Sequence, residues 1–111
     1  MKLIYICSPY RATDEAILQR NIDYAKELTR AVLLRGDIPV TVHLYMTQAL
    51  TESVEAERNI GLAAGRGILR KCDAVFVGVK YGISSGMKAE IELAKRENIP
   101  VVFDEILQEA T

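Results

Sequence analysis

Four short apolar runs limit what this chain can become. Leu3-Ile4-Tyr5-Ile6-Cys7, Ile38-Pro39-Val40-Thr41-Val42, Asp73-Ala74-Val75-Phe76-Val77-Gly78-Val79 and Ile99-Pro100-Val101-Val102-Phe103 are nearly unbroken by charge and rich in β-formers. Such runs read as strands buried on both faces, the condition of a parallel sheet. The segments between them have helical length and period. Thr13 is a plausible N-cap for the first helix, with Asp14 and Glu15 in its first turn and an apolar side of Ile17, Ile22, Ala25, Leu28, Val32 and Leu33. That helix runs to about Arg35, and Gly36 closes it. His43-Leu44-Tyr45-Met46 reads as the loop after strand two. Thr51 or Ser53 starts the next helix, which reaches about Lys71 despite Gly61, Gly65 and Gly67. A short helical tail is expected after Phe103.

The βαβαβαβ pattern implies a parallel sheet with helices on both faces. Proline cannot donate to a ladder and prefers edge strands. Pro39 and Pro100 lie in strands two and four, so strands one and three take the centre, giving order 2-1-3-4 with right-handed crossovers. This is a Rossmann- or flavodoxin-like three-layer α/β fold, one domain over residues 1–111. Its ligand crevice falls at the carboxyl ends of strands one and three, where the order reverses. The loops meeting there run from Cys7 to Arg11 and from Tyr81 to Gly86.

The second loop carries the most unusual residue. Tyr81-Gly82-Ile83-Ser84-Ser85-Gly86 leads into a helix whose Met87, Ile91, Leu93 and Ala94 share one arc. Glu90 falls in the middle of that arc. A carboxylate there is costly unless paired, so Glu90 is partnered or functional, or it lies at the edge of the buried face and reaches solvent past Gly86. Tyr5, mid-strand, needs a hydroxyl partner, and Glu90 on the neighbouring helix can be that partner; alternatively Tyr5 reaches the sheet edge. Arg11 at the crevice mouth suits phosphate or carboxylate, or is an exposed loop arginine. His43 also stands at a strand's carboxyl end. Ser84, Ser85 and the Gly86 amide can donate to an anion, or serve as turn and cap residues. Asp73 begins strand three at the far end from the crevice, and Cys7 lies near the site without a mark of activation.

Composition narrows the function classes. Half of the 111 residues are hydrophobic and the net charge is −1, so the chain can build a core and offers no basic run for a nucleic-acid polymer or a membrane surface. Two cysteines and one histidine make no disulfide framework or zinc site. The apolar start after Lys2 is too short for a signal or a membrane span, and a reduced, soluble, cytoplasmic protein is expected.

In order along the chain, Tyr5-Ile6-Cys7-Ser8-Pro9-Tyr10-Arg11, Thr41-Val42-His43, Cys72-Asp73-Ala74-Val75-Phe76-Val77 and Ser84-Ser85-Gly86-Met87-Lys88-Ala89-Glu90-Ile91-Glu92-Leu93-Ala94 resemble the nucleoside 2-deoxyribosyltransferase-like superfamily, which includes 2-deoxynucleoside 5-phosphate N-hydrolases and small uncharacterised bacterial and phage proteins. The resemblance implies that Glu90 is a nucleophile toward the anomeric carbon of a (deoxy)ribosyl group and that Tyr5 orients it. It implies contacts near a 5-phosphate from Arg11, Ser84 and Gly86 and a pocket-lining His43, with Ser8, Pro9, Tyr10 and Ser85 of the same loops expected at the substrate, and no metal or other cofactor. The scheme is that of a retaining glycosidase, with transfer to water or to a second base. A homodimer or higher homo-oligomer is expected, with the face of Gly61, Gly65 and Gly67 inviting close packing. Active members carry an aspartate on the helix before strand three, about two turns ahead of the Asp73 position. Here that stretch reads Gly61-Leu62-Ala63-Ala64-Gly65-Arg66-Gly67-Ile68. Glu55 or Glu57 can substitute, or the substrate carries a better leaving group. The alternative is a non-catalytic binding protein, a sensor or sequestering module for a nucleotide-derived ligand.

Overall fold

The computed structural model describes residues 1–104. The expected helical tail lies outside the described residues. The elements are β1 (Leu3–Cys7), α1 (Glu15–Leu34), β2 (Ile38–Val40), a 3₁₀ turn (Val42–Leu44), α2 (Met46–Ala49), α3 (Glu55–Leu69), β3 (Ala74–Gly78), α4 (Ser85–Arg96) and β4 (Val101–Asp104). All four strands pair in parallel in the order β2-β1-β3-β4, as the prolines indicate. Pro39 sits in the edge strand β2, and Pro100 stands just before β4, where its carbonyl accepts the Val75 N–H at 2.8 Å.

The twofold period of β1 divides its side chains between two cores. Ile4 and Ile6, with Phe76 of β3, pack against Tyr24, Leu28 and Val32 of α1. Tyr5 and Cys7, with Val75 and Val77, pack on the other face against Leu69 of α3 and Met87, Ile91, Leu93 and Ala94 of α4. Each such fully buried aliphatic side chain contributes roughly 1.5–3 kcal/mol relative to exposure. α1 and β3 approach so closely at Gly78 that a Cβ there would lie 2.5 Å from Leu28 Cδ1 and 2.7 Å from the Tyr24 hydroxyl.

Several boundaries differ from the sequence expectation. Asp14, not Thr13, caps α1, its Oδ1 accepting the Ala16 and Ile17 N–H groups at 2.7 and 3.1 Å. The buried stripe of α1 is Asn21, Tyr24, Ala25, Leu28 and Val32, while Ile17 and Leu33 are exposed. The stripe is rotated because Asn21 and Tyr24 find partners for their polar ends: Asn21 Nδ2 donates to the Tyr10 carbonyl at 3.0 Å, and the Tyr24 hydroxyl accepts the Lys80 N–H at 3.2 Å. β2 stops at Val40 because Thr41 is buried against α1, with 2.6 Å between its hydroxyl and that of Thr29. The chain then coils through the 3₁₀ turn and α2, where the sequence suggested a fifth strand residue and a loop. α3 begins after Val54, not after Thr51 or Ser53, and ends at Leu69. Gly36 does close α1, with a positive φ of 91°. No helix among the described residues is long and apolar enough to cross a membrane.

Candidate functional site

β1 carries two polar side chains to the same face at adjacent alternate positions, Tyr5 and Cys7. Facing them, α4 presents Glu90. The Tyr5 hydroxyl donates to Glu90 Oε2, and the Cys7 thiol stands 3.5 Å from Glu90 Oε1. The thiol is also 3.8 Å from the Met87 carbonyl. Glu90 is therefore partnered on both carboxylate oxygens while part of it stays open to solvent, so it shows features of both readings its sequence position left open. It is half-buried, whereas Tyr5 and Cys7 are fully buried.

Burial sets the protonation of this cluster. It pushes the Glu90 carboxyl above its ordinary value, a rise that the hydrogen bonds from Tyr5 and Cys7 oppose by favouring the carboxylate. Burial, reinforced by the Glu90 charge, drives the Tyr5 phenol and the Cys7 thiol far upward, so both remain neutral donors. A neutral thiol is not a nucleophile, and Cys7 acts here through its proton.

The third wall is α3. A Cβ on Gly65 would lie 3.6 Å from the Tyr5 hydroxyl and 3.9 Å from Val42 Cγ2, so this glycine faces the Tyr5–Glu90 pair. Gly61 packs against Leu50 Cδ1, at 3.1 Å from a built Cβ. The close approach of these two glycines is thus met inside the chain; Gly67 has nothing within 4 Å. The acids considered as substitutes for the missing aspartate stand elsewhere. Glu55 is exposed, and Glu57 Oε1 accepts the Thr51 N–H at 2.9 Å. Eight residues of helix separate Glu57 from Gly65, about 12 Å along the axis.

The remaining predicted residues surround this pair unevenly. Ser8, just past β1, is fully buried, and its hydroxyl has no hydrogen-bond partner among the described residues. Pro9 and Tyr10 are half-buried, and Arg11 is exposed in the same loop. The Tyr10 ring stacks on His43 at 5.3 Å and 19°. Burial lowers the His43 pKa below its ordinary 6.5. Ser84 caps α4, its Oγ accepting the Met87 N–H at 3.3 Å, while Ser85 and Gly86 form the exposed first turn. The capping oxygen uses a lone pair, which leaves the hydroxyl proton of Ser84 to donate. Asp73 serves locally, as its position suggests, with Oδ2 accepting the Leu3 N–H at 2.7 Å. Among the described residues no group of three or more His, Cys, Asp or Glu side chains is placed to hold a metal ion.

Sequence reasoning overlooked a brace between the two crevice loops. Asn21 Oδ1 accepts from Arg20 Nη2 at 3.0 Å while Asn21 Nδ2 holds the Tyr10 carbonyl. The Arg20 guanidinium lies 3.9 Å over the Tyr81 ring, which meets Tyr24 edge-on at 5.2 Å. The available signal was Asn21, a polar residue four before Ala25 on the buried stripe. A groove of about 480 Å³ beside this brace, bordered by Arg20, Tyr24, Lys80 and Tyr81, lies on the α1 side of the sheet and does not include Glu90. The crevice at Glu90 is favoured for chemistry because it joins a partly buried carboxylate to two neutral donors.

Comparison with known proteins supports the fold. The chain is similar to the 2-deoxyribosyltransferase from the psychrotolerant bacterium Bacillus psychrosaccharolyticus, with a TM-score of 0.72 and 14% identity over 91% of this chain and 70% of that one. No curated protein matches the sequence. The α/β architecture is therefore that of a 2-deoxyribosyltransferase structure, and at this identity the likeness concerns the fold alone. A family match over residues 2–104 assigns the sequence itself: the chain belongs to the family described as Domain of unknown function (DUF7768).

Proposed function

We propose that the protein is an N-glycoside hydrolase or (deoxy)ribosyltransferase acting on a nucleoside, nucleotide or nucleotide-derived molecule, with Glu90 as nucleophile. The observation that carries this reading is the Glu90 carboxylate held by Tyr5 on one oxygen and Cys7 on the other, at the carboxyl end of the central strands. The likeness to a 2-deoxyribosyltransferase fold supports the substrate class. In this scheme a lone pair of Glu90 attacks the anomeric carbon as the bond to the base breaks, and the resulting glycosyl ester is released to water or to a second base. Tyr5 fixes the carboxylate rotamer and favours its ionised form. Ser8, Pro9, Tyr10 and Arg11 on one side, Ser84, Ser85 and Gly86 on the other, and His43 behind Tyr10 line the substrate. The first-turn amides of α4 and the Arg11 guanidinium suit a phosphate or sugar oxygens. The chemistry needs no metal or organic cofactor. A homo-oligomer, and a reduced cytoplasmic setting, belong to the same reading.

Gly65 favours a second reading. It occupies the face of α3 opposite Tyr5, where a carboxylic acid would assist a leaving base, and a positioned acid is worth 10²–10⁴-fold in rate. In that reading the crevice binds a nucleotide-derived ligand and leaves it intact. Mass spectrometry of free bases from a panel of nucleosides and nucleotides separates the two. Base release by wild type and not by Glu90→Gln supports the glycosidase; calorimetric binding without product supports the binding protein. Turnover that survives in Glu90→Gln would remove Glu90 from the nucleophile role.

A further inference from the structure

The two donors on Glu90 are chemically unequal. A phenol is a strong donor, whereas a thiol is a weak one with a single proton. The Cys7 proton has two acceptors within reach, Glu90 Oε1 at 3.5 Å and the Met87 carbonyl at 3.8 Å. Resting on Glu90 as nucleophile, we infer that Cys7 is a positioning residue that leaves Oε1 as the attacking oxygen, its S–H swinging to the Met87 carbonyl as the glycosyl bond forms.

The Oε1 lone pair forms the bond to the anomeric carbon. The pair of the broken carbon–nitrogen bond leaves with the base, which takes its proton from water. Oε1 then becomes the single-bonded oxygen of an ester and a poor acceptor. A buried donor left without an acceptor at that moment is destabilised. Cys7 avoids this because Met87 offers its carbonyl at nearly the same distance. Oε2 becomes the ester carbonyl, remains a good acceptor, and keeps Tyr5. Cys7 stays a thiol throughout, held neutral by its burial and by the facing carboxylate.

Among the described residues, the groups that act on Glu90 are few. Tyr5 and Cys7 from β1 act on its titration. Cys72, before β3, acts on Tyr5 and so at one remove. α3 contributes Gly65 at this point, and His43 is turned to Tyr10.

The test compares wild type, Cys7→Ala and Cys7→Ser by two readouts: the ¹³C titration of the Glu90 carboxyl, assigned through Glu90→Gln, and the pH profile of base release. Cys7→Ala removes a donor from the carboxylate, so both the titration and the acid limb are expected to move up by on the order of half a unit. Cys7→Ser supplies a stronger donor to Oε1, so both move down and kcat falls roughly three- to tenfold with KM little changed. A merely structural cysteine leaves the titration and the limb where they are in both variants, which overturns the Cys7 role while Glu90→Gln remains inactive. Absence of base release from wild type overturns the nucleophile reading and this role with it, and the titration then still reports whether the thiol touches Oε1.

Discussion

At the residue scale, Glu90 is a carboxylate placed against its own comfort. Its folded pKa is raised above the unfolded value, so the native state holds its proton more readily than the unfolded chain. The stabilising share of that proton is fully present below the unfolded glutamate value and is lost as pH rises through the folded one. Glu90→Gln removes the buried charge and keeps an acceptor for Tyr5. It is expected to raise Tm at pH 8 and to give a smaller gain at pH 4, measured by thermal unfolding at both values. An equal shift at the two pH values would contradict the cost assigned to the charge. The opposite sign applies to His43, whose imidazole is expected to titrate below 6.5 by NMR because burial disfavours its cation. Its share of stability is intact above 6.5 and declines as pH falls through that value. Glu90 was legible in the sequence because a charge at the centre of an apolar arc is rare. Cys7 was legible only as a neighbour. The sequence places it two residues from Tyr5, but nothing in residue spacing says that the Met87 carbonyl and the second carboxylate oxygen both fall within reach of one thiol.

The element scale separates what patterning can give from what it cannot. Strand order followed from two prolines and the continuous apolar runs, and the structure has that order. The face of α1 followed only in part: Ala25, Leu28 and Val32 are buried as expected, but the stripe also includes Asn21 and Tyr24, whose partners are backbone groups of two distant loops. The end of β2 was hidden for a similar reason: Thr41 and Val42 are good strand formers, but Thr41 meets the Thr29 hydroxyl and Val42 enters the core on the other side. Glycines make the contrast testable. Gly78→Ala drives a methyl into Leu28 and Tyr24 and is expected to cost about 1–3 kcal/mol by urea unfolding. Gly67→Ala meets nothing within 4 Å inside α3, and is expected to stabilise by up to about 1 kcal/mol. A neutral or stabilising effect of Gly78→Ala would count against the close α1–β3 packing, and a destabilising effect of Gly67→Ala against the open space at that position of α3.

For the whole molecule, the fold gathers the chemistry where a parallel sheet changes winding direction. β1 brings Tyr5 and Cys7, the helix after β3 brings Glu90, and the loops after β1 and β3 are tied together through Asn21, Arg20 and Tyr81. The Tyr5–Glu90 pair was legible because strand order and the misplaced glutamate indicate one place independently. The inter-loop brace was not, since an arginine over a tyrosine depends on how two helical turns face a loop. The central claim is that Glu90 attacks an anomeric carbon, and it is tested most directly by trapping the product of that attack. The protein is incubated with 2-deoxy-2-fluoro nucleosides and nucleotides, whose fluorine slows release of the glycosyl ester, then digested and analysed by peptide mass spectrometry. A glycosyl mass is expected on the peptide containing Glu90 and not on that of Glu90→Gln. A glycosyl adduct on any other residue, or base release that continues in Glu90→Gln, would contradict it.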